Sequence, residues 1–226
     1  MLYKEKKQKF DERQFMVPTS EYRGAPFWAW NCKLKKELLL KEIEEIKDMG
    51  MGGVHIHCRV GLDTPYLGEE FFENVEACKE KLKKEKMLCW LYDEDRWPSG
   101  SAGGIVTKNV QYRSRFLVFE PEGVEKEEFM SAAKAVRSKN RFLLGSYRII
   151  LNEEGRLKSY QSLKTEKPNE AGEIWSAWLE VSGDTPWFNN QAYVNTLDKN
   201  AINQFIEITH QEYYKRFADE FGKTIP

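Results

Sequence analysis

The chain has 226 residues, 41% of them hydrophobic, which is enough apolar material for one large domain or one and a half. Its 35 lysines and arginines offset 36 acidic residues, so neither a nucleic acid nor an acidic membrane surface is an expected partner. The opening Met1-Leu2-Tyr3, with Lys4, Lys6, Lys7 and Lys9 close behind, leads into no apolar run of signal-peptide length, and a cytoplasmic location is expected.

Residues 1–24 are polar, contain Pro18 and Gly24, and read as an irregular surface leader. Phe27-Trp28-Ala29-Trp30-Asn31 reads as a short aromatic strand. Leu38, Leu39, Leu40, Ile43, Ile46 and Met49 then recur at helical spacing up to Gly50. Gly52–Val60 predicts a second strand, Glu69–Lys86 a second amphipathic helix, and Met87–Asp93 a third strand. Strands separated by helix-length connections are the pattern of parallel βαβ units. Phe116–Phe119, Tyr147–Leu151 and Ile174–Val181 read instead as an antiparallel β-rich insertion, with a turn at Asn152–Gly155. After Pro186 a strand at Ala192–Asn195 and a long helix capped by Asp198 are expected. The organisation expected is therefore a leader over 1–24, the first βα units over 25–114, the insertion over 115–185, and a resumed strand and helix over 186–226. The fold expected is a partial (β/α)8 barrel of three to four units, since eight units take roughly 200 residues or more and the insertion occupies part of the chain. An incomplete barrel edge would favour self-association.

Strand alternation indicates where chemistry can gather. If Val54 and Ile56 face the helices, His55, His57 and Arg59 face the other way; if Cys89 and Leu91 face the helices, Trp90, Tyr92 and Glu94 do not. Trp28 and Trp30 are assigned by analogy to the same side as the histidines. Trp30, Asn31, His55, His57, Arg59, Tyr92 and Glu94 would then converge at the strands' carboxyl ends, where parallel α/β folds keep their sites. A lone buried histidine is usually a satisfied core residue; three neighbouring strands ending in polar groups point to a site. Seven tryptophans suit sugar stacking, because an indole presents a wide apolar face.

Asp93-Glu94-Asp95-Arg96 crowds three carboxylates beside a guanidinium, a setting that spreads carboxyl pKa values apart. Glycosidic cleavage takes two carboxyl groups on opposite sides of the bond, so adjacent residues here can supply one at most. Asp93 and Glu94 are the catalytic candidates. Ser99-Gly100-Ser101-Ala102-Gly103-Gly104 lacks the lysine-serine/threonine ending of a phosphate loop, and no nucleotide is expected. His55-x-His57 opens a metal-dependent, amidohydrolase-like alternative, and a divalent cation such as calcium on the carboxylates is a further option; otherwise no cofactor is expected. Cys32, Cys58, Cys78 and Cys89 form no Cys-x-x-Cys motif and read as reduced thiols.

The runs Pro26-Phe27-Trp28-Ala29-Trp30-Asn31, Met49-Gly50-Met51-Gly52-Gly53-Val54, Pro65-Tyr66-Leu67, and above all Tyr92-Asp93-Glu94-Asp95-Arg96-Trp97-Pro98-Ser99-Gly100-Ser101-Ala102-Gly103-Gly104 resemble the barrel start of bacterial glycoside hydrolases related to α-L-rhamnosidases. Tyr193–Asp198 and Asp219–Pro226 resemble the same group. The resemblance implies part of a longer enzyme that cleaves O-glycosidic bonds, with a further catalytic carboxylate supplied downstream. It implies saccharide-binding and site-shaping roles for Trp30, Asn31, His57, Asp93, Glu94, Asp95 and Arg96, while His55, Arg59, Tyr92 and Trp97 join the candidates from the strand pattern. Asn195 departs from the aspartate expected at its place. A non-catalytic carbohydrate-binding or scaffold module is the alternative to the enzyme.

Overall fold

The computed structural model describes residues 10–123, 137–163, 172–188 and 190–226; the first nine residues of the expected leader lie outside them. The chain divides into two units: Met1–Gly103 together with Asn203–Pro226, and Gly104–Ile202.

In the first unit a short helix α1 (Glu12–Met16) precedes β1 (Phe27–Trp30), α2 (Lys36–Asp48), β2 (Gly53–Cys58), α3 (Glu69–Lys84) and β3 (Leu88–Leu91). The later helices are α4 (Lys199–Ile208), which crosses the division, and α5 (His210–Phe217). Helix α2 buries Leu39, Ile43 and Ile46, and α3 buries Phe71, Phe72, Val75, Cys78 and Leu82, each series at the three- and four-residue spacing of one helical face. These side chains pack on Trp28, Trp30, Val54, Ile56, Cys58 and Cys89 from one face of the sheet. Burying each such large apolar side chain contributes about 1.5–3 kcal/mol. At Gly53 a Cβ atom would sit 2.3 Å from the Leu88 carbonyl oxygen, so only glycine lets β2 approach β3 so closely.

The sheet is parallel, in the order β1-β2-β3. This corrects the expected fold class. The described residues form no barrel segment: the three-stranded sheet is open, and a separate four-stranded antiparallel sheet stands in the other unit. Closing a sheet requires many tilted, staggered strands, and βαβ connections set strand direction without imposing closure. The register also corrects β1. Trp28 pairs with Ile56 and Trp30 with Cys58, so both indoles share the helix-covered face, while Phe27 pairs with His55.

The second unit contains β4 (Arg115–Pro121), β5 (Arg137–Leu151), β6 (Leu157–Leu163) and β7 (Glu173–Ser182), ordered β4-β7-β5-β6 and antiparallel throughout. Asn152 shapes the β5–β6 turn by accepting from the amides of Glu154 and Arg156. Arg141 lies between Glu120 (2.7 Å) and Glu180 (2.6 Å), with its guanidinium over the Trp178 ring. Ala192–Asn195 forms no strand of either sheet. It makes a single bridge, Val194 with Arg113, and the Asn195 amide donates to Tyr112 O. Among the described residues no helix is long and apolar enough to cross a membrane.

Candidate functional site at the carboxyl end of the parallel sheet

The face of the sheet turned away from α2 and α3 carries Phe27, Ala29, His55, His57 and Trp90, with Tyr92 just past β3. Their rings form a ladder. His57 stacks on Tyr92 at 3.7 Å and 16°, His55 on Trp90 at 4.8 Å and 21°, and Phe27 tilts against His57 at 4.1 Å. Arg59 places its guanidinium 5.6 Å from the Phe27 ring centre. His57 is buried, with Nδ1 bonded at 2.8 Å to Cys58 O, and desolvation holds its pKa below the ordinary histidine value. Phe27 and Arg59 are exposed, so the ladder presents ring faces and a cation to solvent.

The residues after β3 carry the polar chemistry. Glu94 is 2% exposed, and its carboxylate is enclosed by backbone amides: Oε2 accepts from Gly100 (2.9 Å), Ser101 (2.8 Å) and Ala102 (2.8 Å), and Oε1 from Asp95 (2.9 Å) and Gly103 (2.5 Å). Burial pushes its pKa up, and the amide donors pull against that shift. Both Glu94 oxygens are thus engaged by the backbone of Asp95 and of the loop over 99–104. Backbone amides turned inward in this way make an anion-binding nest, and Glu94 fills it. Positive φ at Gly100 (140°) and Gly103 (63°) gives the curvature. Asp95 is also buried. Burial raises its pKa against the pull of Arg96, whose Nε lies 3.2 Å from Oδ2.

Asp93 faces outward. Its Oδ1 accepts from Ser99 Oγ at 2.7 Å, and its Oδ2 lies 2.7 Å from His210 Nε2, 117 residues further along the chain. The Ser99 hydroxyl is also 3.4 Å from Tyr92 OH, a phenol whose pKa burial raises. His210 opens α5, and its ring meets the edge of Phe205 at 5.5 Å. Asp93 and His210 sit in a pocket of about 580 Å³ lined with Leu91, Tyr92, Tyr213, Tyr214 and Phe221. Tyr213 reaches in from the core and donates to Tyr92 O at 3.3 Å.

The structure thus gathers His55, His57, Arg59 and Tyr92 on one face, with Asp93 at its end. Trp30 is not among them. It is 2% exposed, wedged edge-on against Trp28 and Phe71, and out of reach of any ligand. Asn31 is exposed beyond β1, and Trp97 is 64% exposed. Sequence reasoning missed His210, Ser99 and Tyr213. The chain has three histidines, and His210 falls inside the single long helix expected after Asp198, which the structure divides at Thr209. All four cysteines are free thiols, and burial pushes Cys89 up to about 12. Among the described residues no three His, Cys, Asp or Glu side chains gather as a metal-holding group.

A three-stranded parallel sheet with one helix-covered face gives this unit an α/β architecture, with a polar cluster at the carboxyl end of its strands. No known family model matches the chain, and no curated protein matches it. Among solved structures, a rhamnosidase from Novosphingobium sp. PP1Y aligns with 64% of this chain at 16% identity and a TM-score of 0.41. That alignment spans 17% of the rhamnosidase chain.

Proposed function

We propose that the carboxyl end of the parallel sheet binds a saccharide, as one wall of a glycoside-hydrolase-type site. The observation that carries this reading is the Asp93–His210 pair, 2.7 Å apart, in a pocket walled by tyrosines and phenylalanine. Aromatic faces receive the C–H face of a sugar ring, and a few convergent polar groups orient its hydroxyls. The resemblance of the Tyr92–Gly104 run to rhamnosidase-related glycoside hydrolases supports the same reading. Asp93 supplies the pocket's carboxyl group, and hydrolysis takes a second one. Because Glu94 is committed to its loop, a purely binding role without hydrolysis is the second reading. Calorimetric titration of the full chain with a panel of neutral and acidic monosaccharides tests the proposal. Saturable binding that weakens in Tyr214→Ala and Asp93→Asn supports it, and absence of binding across the panel refutes it. Release of product from aryl glycosides separates the enzyme from the binding module.

A further inference from the structure

We propose that Glu94 is a positioning residue that acts through Ser99 to fix Asp93 and, through it, the orientation and tautomer of the His210 ring. The inference rests on Asp93 and His210 being the working polar groups of the proposed site. Glu94 gathers the amides of Gly100, Ser101, Ala102 and Gly103, and so sets the path of the loop immediately after Ser99. The loop presents the Ser99 hydroxyl to Asp93 Oδ1 at 2.7 Å. With that oxygen held, Oδ2 faces His210 Nε2. A carboxylate only accepts hydrogen bonds, so the neutral imidazole carries its proton on Nε2 and keeps Nδ1 as the acceptor. Phe205 steadies the ring from another side.

The order of contacts distinguishes this arrangement from a nucleophilic serine triad. Asp93 stands between Ser99 and His210, so the hydroxyl donates to a carboxylate, where in a triad it would donate to the imidazole. Ser99 is an orienting group.

The test reads the tautomer of His210 in the ligand-free full chain by ¹⁵N-edited NMR of the imidazole, assigned with His210→Gln. This readout is independent of sugar binding, so its failure and the failure of the saccharide reading can be told apart. The proposal expects the Nε2–H tautomer alone in the wild type. It expects Ser99→Ala and Glu94→Gln to lose that single signature and show a mixture of tautomers, with far-ultraviolet circular dichroism unchanged for Ser99→Ala. Should Glu94→Gln fail to fold, Glu94→Asp carries the same test, since it keeps the charge but withdraws the oxygens by one methylene. An Nδ1–H tautomer in the wild type overturns the proposal. So does an unchanged Nε2–H signature in Ser99→Ala, or in a folded Glu94 variant.

Discussion

Glu94→Gln keeps the shape of the side chain and removes one acceptor oxygen. Three amides converge on Oε2 and two on Oε1. If the amide oxygen takes the larger group, two backbone donors still point at an NH2 group; in the opposite rotamer, three do. Leaving a buried donor unsatisfied costs about 1–3 kcal/mol each, so the simple sum for two is about 2–6 kcal/mol. Partial opening of the loop to water will keep the cost in the lower half, and we expect a loss of about 2–4 kcal/mol. For a chain of this size that corresponds to a fall in Tm of roughly 5–15 °C. Urea unfolding followed by tryptophan fluorescence measures it directly. Destabilisation below about 0.5 kcal/mol, the level of an ordinary surface substitution, would show that Glu94 does not hold the loop.

The two tryptophan environments predict opposite responses. Trp30→Ala empties a core site and is expected to cost about 3–5 kcal/mol. Trp97→Ala is expected to shift stability by less than about 0.5 kcal/mol; unfolding curves of both variants check this. Desolvation lowers the His57 pKa from 6.5, so its contribution is complete above that unfolded-state value and is lost as pH falls through the folded-state value. Stability should therefore drop on the acid side, and His57→Phe, which keeps the stack, should flatten that limb of a plot of unfolding midpoint against pH. In the antiparallel sheet, Arg141→Ala removes the guanidinium that bridges Glu120 and Glu180 and is expected to cost about 1.5–3 kcal/mol by urea unfolding.

How far the sequence could be read differs from strand to strand, for physical reasons. In β2 the histidines alternate with aliphatic residues and cysteine, so the faces of His55 and His57 follow from a period of two, and the same parity in β3 carries Trp90 and Tyr92 to that side. Phe27-Trp28-Ala29-Trp30 has no polar member to break the tie. Its orientation is set by pairing with β2 and by the volume that Trp28 and Trp30 fill against α3. A one-residue error in register reverses every side chain of a strand, which is how Trp30 was assigned to the site. Closure was not legible at all, because parallel βαβ units are common to open and closed sheets.

At the site, the Asp93–Arg96 cluster was legible as a concentration of charge, but the division of labour within it was not. Which carboxylate faces the pocket depends on the loop folding back so that its amides reach Glu94, and that is a tertiary fact. His210 stands 117 residues from Asp93, beyond the reach of any local pattern. Only the packing of α5, through Tyr213 and Phe217, brings it to the end of β3.

The most direct test of the saccharide-binding claim is a titration of the ¹⁵N-labelled full chain with sugars, followed residue by residue. The account predicts saturable shifts concentrated at Tyr92, Asp93, His210 and Tyr214, and absent from β4 to β7. Shifts confined to the antiparallel sheet, or no response up to sugar concentrations of about 10 mM, a range that reaches weak millimolar binding, would contradict it.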